Sequence, residues 1–336
     1  MSDAASTARR PPPVVVCFGE ALIDLLARPG AGRDAPRQFL EYAGGAPANV
    51  AVGVARLGGA ARFIGMLAED MFGERLLAQL AAAGVDVSCV RRTAAANTAL
   101  AFVALDAAGE RSFSFYRPPA ADLLFRAEHF DARAFEDAAF FHVCSNSLTE
   151  PGIAAATLTG MRRARAGGAL VSMDLNLRPA LWPPAVDPLP QLWEALREAD
   201  VVKLSQGELA LLAGSASREE AVLARLLDQR AQCVLLTAGA APLRWVTRGA
   251  CGSVAAFDVR AIDTTGAGDA FVAGWLKSLA THGVGATTLG HFLADRARLT
   301  ETLRFAAACG ALATTRHGAF AAMPDGAEVE QLLGQQ

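Results

Sequence analysis

The chain has no apolar run approaching the roughly 18 residues that a membrane-spanning helix needs. It has no excess of basic charge: 31 Lys and Arg stand against 34 Asp and Glu, a formal net charge of −3. That removes the electrostatic footprint of a nucleic-acid binder, and no block of like charge suggests an interaction tail. There is no Cys-x-x-Cys pair. The six cysteines, at positions 17, 89, 144, 233, 251 and 309, are scattered, and the five histidines are equally dispersed. In a chain of 336 residues this excludes a disulfide framework and a His/Cys metal centre, and it points to reduced thiols in a cytoplasm. A Cys–His nucleophile has no support either. The opening, Met1 to Pro13, holds two arginines and three prolines but no apolar core of a secretion signal. It reads as a disordered leader.

What the sequence does hold is apolar mass. It is 52% hydrophobic and 19% charged, enough for a large core in one large α/β domain or two smaller ones. Val14 to Phe18 is an all-apolar run ending at Gly19, the pattern of a strand buried on both faces. From Ala139 such strands recur, at Ala139 to Val143, Ala169 to Met173, Val201 to Leu204 and Cys233 to Leu236. Helical stretches near 151–166, 190–198, 206–213 and 218–230 separate them. This βαβ repetition predicts a doubly wound sheet with a ligand crevice at its strand ends. Two further strands, Thr98 to Leu105 and Arg111 to Tyr116, interrupt the alternation and are joined by a hairpin loop at 106–110. With Leu22 to Ala27 and Gln38 to Tyr42 they could form a small separate sheet. The segment from Gly285 to Thr300 carries no strong pattern and reads as an exposed elaboration.

The chemistry concentrates in Asp263-Thr264-Thr265-Gly266-Ala267-Gly268-Asp269-Ala270-Phe271. Val254 to Phe257 read as a strand before it and Ala270 to Leu279 as a helix after it. Small residues at such a junction let the backbone approach a ligand. The unpaired N–H groups of the new helix then form an anion site. Asp269 falls in the first turn, where a carboxylate can take a proton from a hydroxyl while the N–H groups hold phosphoryl charge. Elsewhere, Glu20 and Asp24 follow the first strand, and a carboxylate there can accept two sugar hydroxyls. Gly44-Gly45-Ala46-Pro47-Ala48-Asn49 reads as a tight helix entry with Pro in the first turn and Asn49 as its one polar side chain. Asp174, Asn176 and Arg178 alternate after a strand and could share one face. Ser205-x-x-Glu208 is a capping box, in which each side chain bonds the other's backbone N–H.

The nine-residue string resembles the C-terminal signature of the PfkB-type, ribokinase-like carbohydrate kinases. Gly44 through Gly65 to Asp70-Met71-Phe72-Gly73 resembles their N-terminal signature, and the two lie roughly 220 residues apart in the right order. The likeness runs from about Val14 to Pro324. It implies an α/β fold of ribokinase type over residues 14–330: a doubly wound, mostly parallel sheet flanked by helices. A small β-sheet lid is inserted at about 22–42 and 98–117, and it closes over the sugar so that water is excluded. Within the family, Phe115-Tyr116-Arg117 and the Asp174-to-Trp182 stretch look most like fructokinases. The resemblance makes Asp269 the base and Gly266, Ala267 and Gly268 the anion hole. It gives the sugar to Asp24, preferred over Glu20 on the family's opening pattern, and to Gly44, Gly45, Asn49, Arg117, Asn176 and Arg178. The ATP side falls to Lys203, Ser205, Thr237 and Gly239. Here the chain departs from the pattern, with Ser205 where Asn is usual and Pro242 in place of the last Gly of Thr-x-Gly-x-x-Gly. Glu208 would orient Mg²⁺ through waters. Asp263, Thr265, Ala313, Arg316 and Gly318, mostly by backbone, would hold a potassium ion. The implied activity is transfer of the ATP γ-phosphoryl group to the primary hydroxyl of D-fructose, giving fructose 6-phosphate. A 2-keto-3-deoxygluconate kinase is the alternative, with Arg117 and Arg178 on the acid's carboxylate. A catalytically dead sugar sensor is the remote one, since Asp269 is intact. The expected partners are a sugar and ATP, with no nucleic acid or membrane. A homodimer covering exposed lid edges is also expected.

Overall fold

The computed structural model describes residues 12–28, 37–105 and 111–335. The expected leader, apart from its last two residues, and the expected hairpin loop at 106–110 lie outside the described residues. In chain order the strands are β1 (Val14–Phe18), β2 (Leu22–Arg28), β3 (Gln38–Gly44), β4 (Ala60–Ile64), β5 (Met66–Ala68), β6 (Arg91–Thr93), β7 (Leu100–Leu105), β8 (Arg111–Tyr116), β9 (Ala138–Cys144), β10 (Leu170–Asp174), β11 (Val201–Ser205), β12 (Cys233–Ala238), β13 (Ala241–Thr247) and β14 (Cys251–Val254). The helices are α1 (Ala46–Arg56), α2 (Met71–Ala82), α3 (Pro151–Ala166), α4 (Leu189–Leu196), α5 (Gln206–Ala213), α6 (Glu219–Asp228), α7 (Ala267–Thr281), α8 (Leu289–Ala294), α9 (Arg296–Ala313) and α10 (Gly326–Gln335).

Eight strands form the main sheet in the order β14-β13-β12-β11-β10-β9-β1-β4. From β4 to β12 all neighbours are parallel, and β13 and β14 add an antiparallel edge. The all-apolar strands are explained by what lies on either side. Val15 and Cys17 of β1 face a core shared with α1, α7, α8 and α9, whereas Val16 and Phe18 face a second core under α3 to α6. A strand covered on both faces has no solvent side on which to alternate. Phe18 meets Phe125 edge-to-face at 5.0 Å, and both side chains are fully buried. Burying each such ring stabilises by about 1.5–3 kcal/mol.

Helix starts follow local chemistry. Pro47 occupies the first turn of α1, where its missing N–H costs nothing. Asp70 caps α2 by accepting from the Gly73 N–H at 2.7 Å. Ser205 and Glu208 form the capping box of α5.

The four interrupting strands make a separate sheet, β3-β2-β7-β8. It is rooted where β1 runs through Gly19 and Glu20 into β2, and where β3 runs through Gly45 into α1. Two expectations need correcting. The strand before the Gly-rich string ends at Val254, not Phe257, and residues 255–262 are irregular. The reason is pairing: β14 bonds only β13, and Val254 opposite Leu243 is its last partner. The 285–300 stretch is not an exposed elaboration. It supplies α8 and the start of α9, and Leu289, Phe292, Leu293 and Leu299 are buried in the core.

Candidate active site

The crevice lies at the carboxyl ends of β1, β9, β10 and β11. There α7 begins at Gly266, whose φ of +75° is left-handed backbone that glycine adopts without strain. The Ala270 N–H donates to the Gly266 carbonyl at 2.8 Å, so the helix proper starts there. The Ala267 N–H turns back to the Thr264 carbonyl at 3.3 Å. Those of Gly266, Gly268 and Asp269 donate to no protein oxygen among the described residues. The string therefore leaves a cluster of amides open, with Ala267 the least available of the expected three.

Asp269 is buried in this first turn. Asn49 Nδ2, from α1, donates to Asp269 Oδ2 at 2.7 Å. Burial pushes the Asp269 carboxyl up to about 7; the Asn49 bond opposes this, the Asp174 charge adds to it, and Lys203 and Arg178 oppose it. Asp174 and Lys203 are partners in the register of adjacent parallel strands β10 and β11. Their side chains meet in a buried ion pair, Nζ to Oδ2 3.0 Å. Burial works to lower the Lys203 pKa, but Asp174, Glu208 and Asp269 outweigh it and the net direction is up, so the ammonium stays charged. Lys203 also stands against the open amides: a Cβ on Gly268 would come within 2.9 Å of Nζ. Three ionisable side chains, the Asn49 amide and a set of bare N–H groups thus converge from four elements, α7, β10, β11 and α1.

Asp24 lies on β2, with Oδ2 so close to Gly44 that a Cβ there would approach to 2.5 Å. Gly44, Gly45 and Asn49 lie at the same corner, where β3 passes into α1. Asn176, with φ of +39°, donates its N–H to Asp174 Oδ1 at 3.2 Å. Arg178 is exposed and bonds its own neighbour's carbonyl, Leu177 O, at 3.2 Å. Arg117 is buried and pairs with Asp122, Nε to Oδ2 2.9 Å, and its Nη1 reaches Thr149 Oγ1 at 3.3 Å. Glu208 takes the Ser205 N–H on Oε2 and the Leu177 N–H on Oε1, both at 2.7 Å. Each oxygen keeps a lone pair, because a carboxylate offers about four acceptor sites. Thr237 leans on the Leu204 carbonyl at 3.4 Å, and Gly239 makes the turn between β12 and β13.

Asp263 is buried and accepts from the Thr265 N–H at 2.8 Å and the Gly318 N–H at 3.3 Å. It thereby joins the string to the loop after α9. Ala313 ends α9, and the Arg316 side chain turns away to Glu328 at 2.7 Å. Among the described residues no cluster of three or more His, Cys, Asp or Glu could hold a metal ion.

Sequence reasoning passed over Asn146 and Ser147, after β9. Asn49 Oδ1, Asn146 Oδ1 and Ser147 Oγ are buried and without partners among the described residues. Such atoms carry an uncompensated desolvation cost that a hydroxyl-rich ligand would relieve. Only their place after a buried strand could have marked them.

A family profile described as pfkB family carbohydrate kinase matches residues 13–326. The chain belongs to that family. It is a carbohydrate kinase, a transferase that carries phosphate to a sugar. Fructokinase-1 of Zea mays is 42% identical over 321 residues, 95% of this chain and 97% of that one. The crystal structure of a fructokinase with bound ATP from Xylella fastidiosa superposes with a TM-score of 0.92 at 55% identity, covering 97% of this chain and 99% of that one. A Vibrio cholerae O395 fructokinase, in a form with fructose, ADP and calcium ion bound, gives a TM-score of 0.82 at 30% identity, covering 95% and 98%. The mostly parallel sheet with a second small sheet is the family's architecture. No helix among the described residues is long and apolar enough to cross a membrane.

Proposed function

We propose that the chain is an ATP-dependent fructokinase that makes fructose 6-phosphate. The observation that carries the reading is Asp269: a buried carboxylate, bonded by Asn49 and lifted to about 7, beside open amides and a charged lysine. A base poised there can remove the proton of a primary hydroxyl as that oxygen bonds to the γ-phosphorus of ATP and the bond from that phosphorus to the departing ADP oxygen breaks. The N–H groups of Gly266 and Gly268, with Lys203, hold the negative charge on the transferring group, and Asp174 keeps Lys203 aimed. Ala267 contributes less, through its turn back to Thr264. The relatives' names favour fructose, and Asp24, Gly44, Gly45 and Asn49 form the corner that would take its hydroxyls. Arg117 is neutralised by Asp122, which leaves little charge for a sugar-acid carboxylate and disfavours the ketodeoxygluconate alternative.

The ATP side is given to Lys203, Ser205, Thr237 and Gly239, and the spare lone pairs of Glu208 fit water-mediated contact with Mg²⁺. That ion would neutralise phosphate charge as the group moves. Asp263 with Thr265 and the backbone of Ala313, Arg316 and Gly318 would hold a weakly hydrated monovalent cation, a reading supported by the buried Asp263 carboxylate being tied to the loop after α9 through the Gly318 N–H. Six free cysteines, five of them buried, suit a cytoplasm. One face of the small sheet carries Phe39, Phe102 and Tyr116 in edge-to-face contact, with Phe39 and Tyr116 exposed. That face suits a homodimer. The test is a screen of fructose, ribose, ketodeoxygluconate and adenosine with ATP. Turnover on fructose is expected, and turnover on the acid alone would overturn the assignment.

A further inference from the structure

We propose that Glu20 is a positioning residue of the transfer site, tying the root of the small sheet to the start of α1 and so holding Asn49 against Asp269. The inference rests on the kinase reading above. Glu20 lies between β1 and β2, where the chain leaves the large sheet for the small one, and it is 1% exposed. Its Oε1 accepts from the Ala46 N–H at 3.2 Å and from Asn146 Nδ2 at 2.9 Å. Cys144 Sγ lies 3.7 Å from each oxygen. Ala46 is the first residue of α1. Three residues on, Asn49 donates its own N–H to the Gly45 carbonyl at 2.7 Å and its side-chain amide to Asp269 at 2.7 Å. One carboxylate oxygen therefore fixes the first turn of the helix, the helix fixes the amide, and the amide fixes the base. Burying a carboxylate merely to cap a helix is a costly choice, since Ser or Asn would serve.

The rival role is charge balance against Arg117, which lies at the end of β8 with Asp122 already paired to it. Two variants separate the roles. Glu20→Gln keeps an oxygen for both donors and loses the charge. Glu20→Asp keeps the charge and draws the acceptor back by a methylene, out of reach of Ala46. In steady-state kinetics of the full chain, Glu20→Gln should hold kcat within about threefold, while Glu20→Asp should lower kcat by about tenfold or more with the KM for ATP little changed. Adding Asn49→Ala to Glu20→Asp should cost no more than Asn49→Ala alone, because both act on one chain of contacts. Four results would each overturn the inference: the reverse order of the two variants, additive losses, a Glu20→Gln chain that fails to fold by circular dichroism, or a Glu20→Asp chain that fails to fold. The wild-type rate on fructose decides the kinase reading separately.

Discussion

Asp269 shows how one side chain acquires its chemistry from its surroundings. A carboxylate in water titrates near 3.9 and would be inert to pH in the physiological range. Buried in the first turn of α7, it sits near 7. As the proposed base it must be deprotonated, so kcat/KM should rise as pH rises through about 7 and flatten above, which a pH–rate profile with fructose will show. The same shift bears on stability. The folded pKa lies above the unfolded one, so the contribution of this group is intact below about pH 4 and is lost as pH rises through about 7. Asp269→Asn should therefore raise Tm near pH 8 and not near pH 4, while ATP binding persists and kcat falls by about 10²–10⁴. Calorimetry and a coupled assay measure both. Asp269 was legible as a candidate base, because the resemblance gives that role to an acid directly after Gly-Ala-Gly. Its partners were not. The Asn49 amide comes from 220 positions away, and Lys203 meets Asp174 across strands 29 positions apart. Such pairings follow from sheet order and register, which composition and spacing do not reveal.

At the scale of elements, α5 and α7 make opposite uses of their first turns. In α5 the turn is closed on itself by Ser205 and Glu208. Ser205→Ala should cost about 1 kcal/mol in denaturant unfolding. In α7 the turn is left open, and Gly268 keeps it so. Gly268→Ala should favour the helix by about 1 kcal/mol through propensity alone. Its methyl group, however, would press on Lys203 Nζ, and kcat should fall by about tenfold or more while the fold is kept. A stable, slow enzyme is the expected phenotype; an unchanged kcat would remove Lys203 from the anion site. Helix starts at Pro47 and Ser205 were legible because capping chemistry is local. The end of β14 was not, because apolar character is local and strand pairing is not. Val254, Ala255, Ala256 and Phe257 are apolar enough for a strand, yet only Val254 finds a partner. In the 285–300 stretch, Leu289, Phe292, Leu293 and Leu299 do follow helical spacing, but Asp295 starts a new helix within it and broke the pattern.

For the whole molecule, the two-core arrangement was legible in the unbroken apolar strands, and the separate small sheet in the strands that interrupted them. Which sheet face stays uncovered was not legible, because it depends on Phe39, Phe102 and Tyr116 falling side by side on three different strands. If that face joins two copies, Phe39→Asp with Tyr116→Asp should give a monomer by light scattering, with a raised KM for fructose. A variant pair still dimeric would place the interface elsewhere.

The 220 positions between Asn49 and Asp269 also set a clock. A ribosome adding 5–20 residues per second needs roughly 10–45 s to pass from one to the other. For that interval the nascent chain holds the residues of α1 and of the corner proposed for the sugar, with no carboxylate at position 269 to deprotonate a guest. A chain interrupted before position 269 therefore has the pocket's first half without the carboxylate, and no phosphoryl transfer through this site is expected of it.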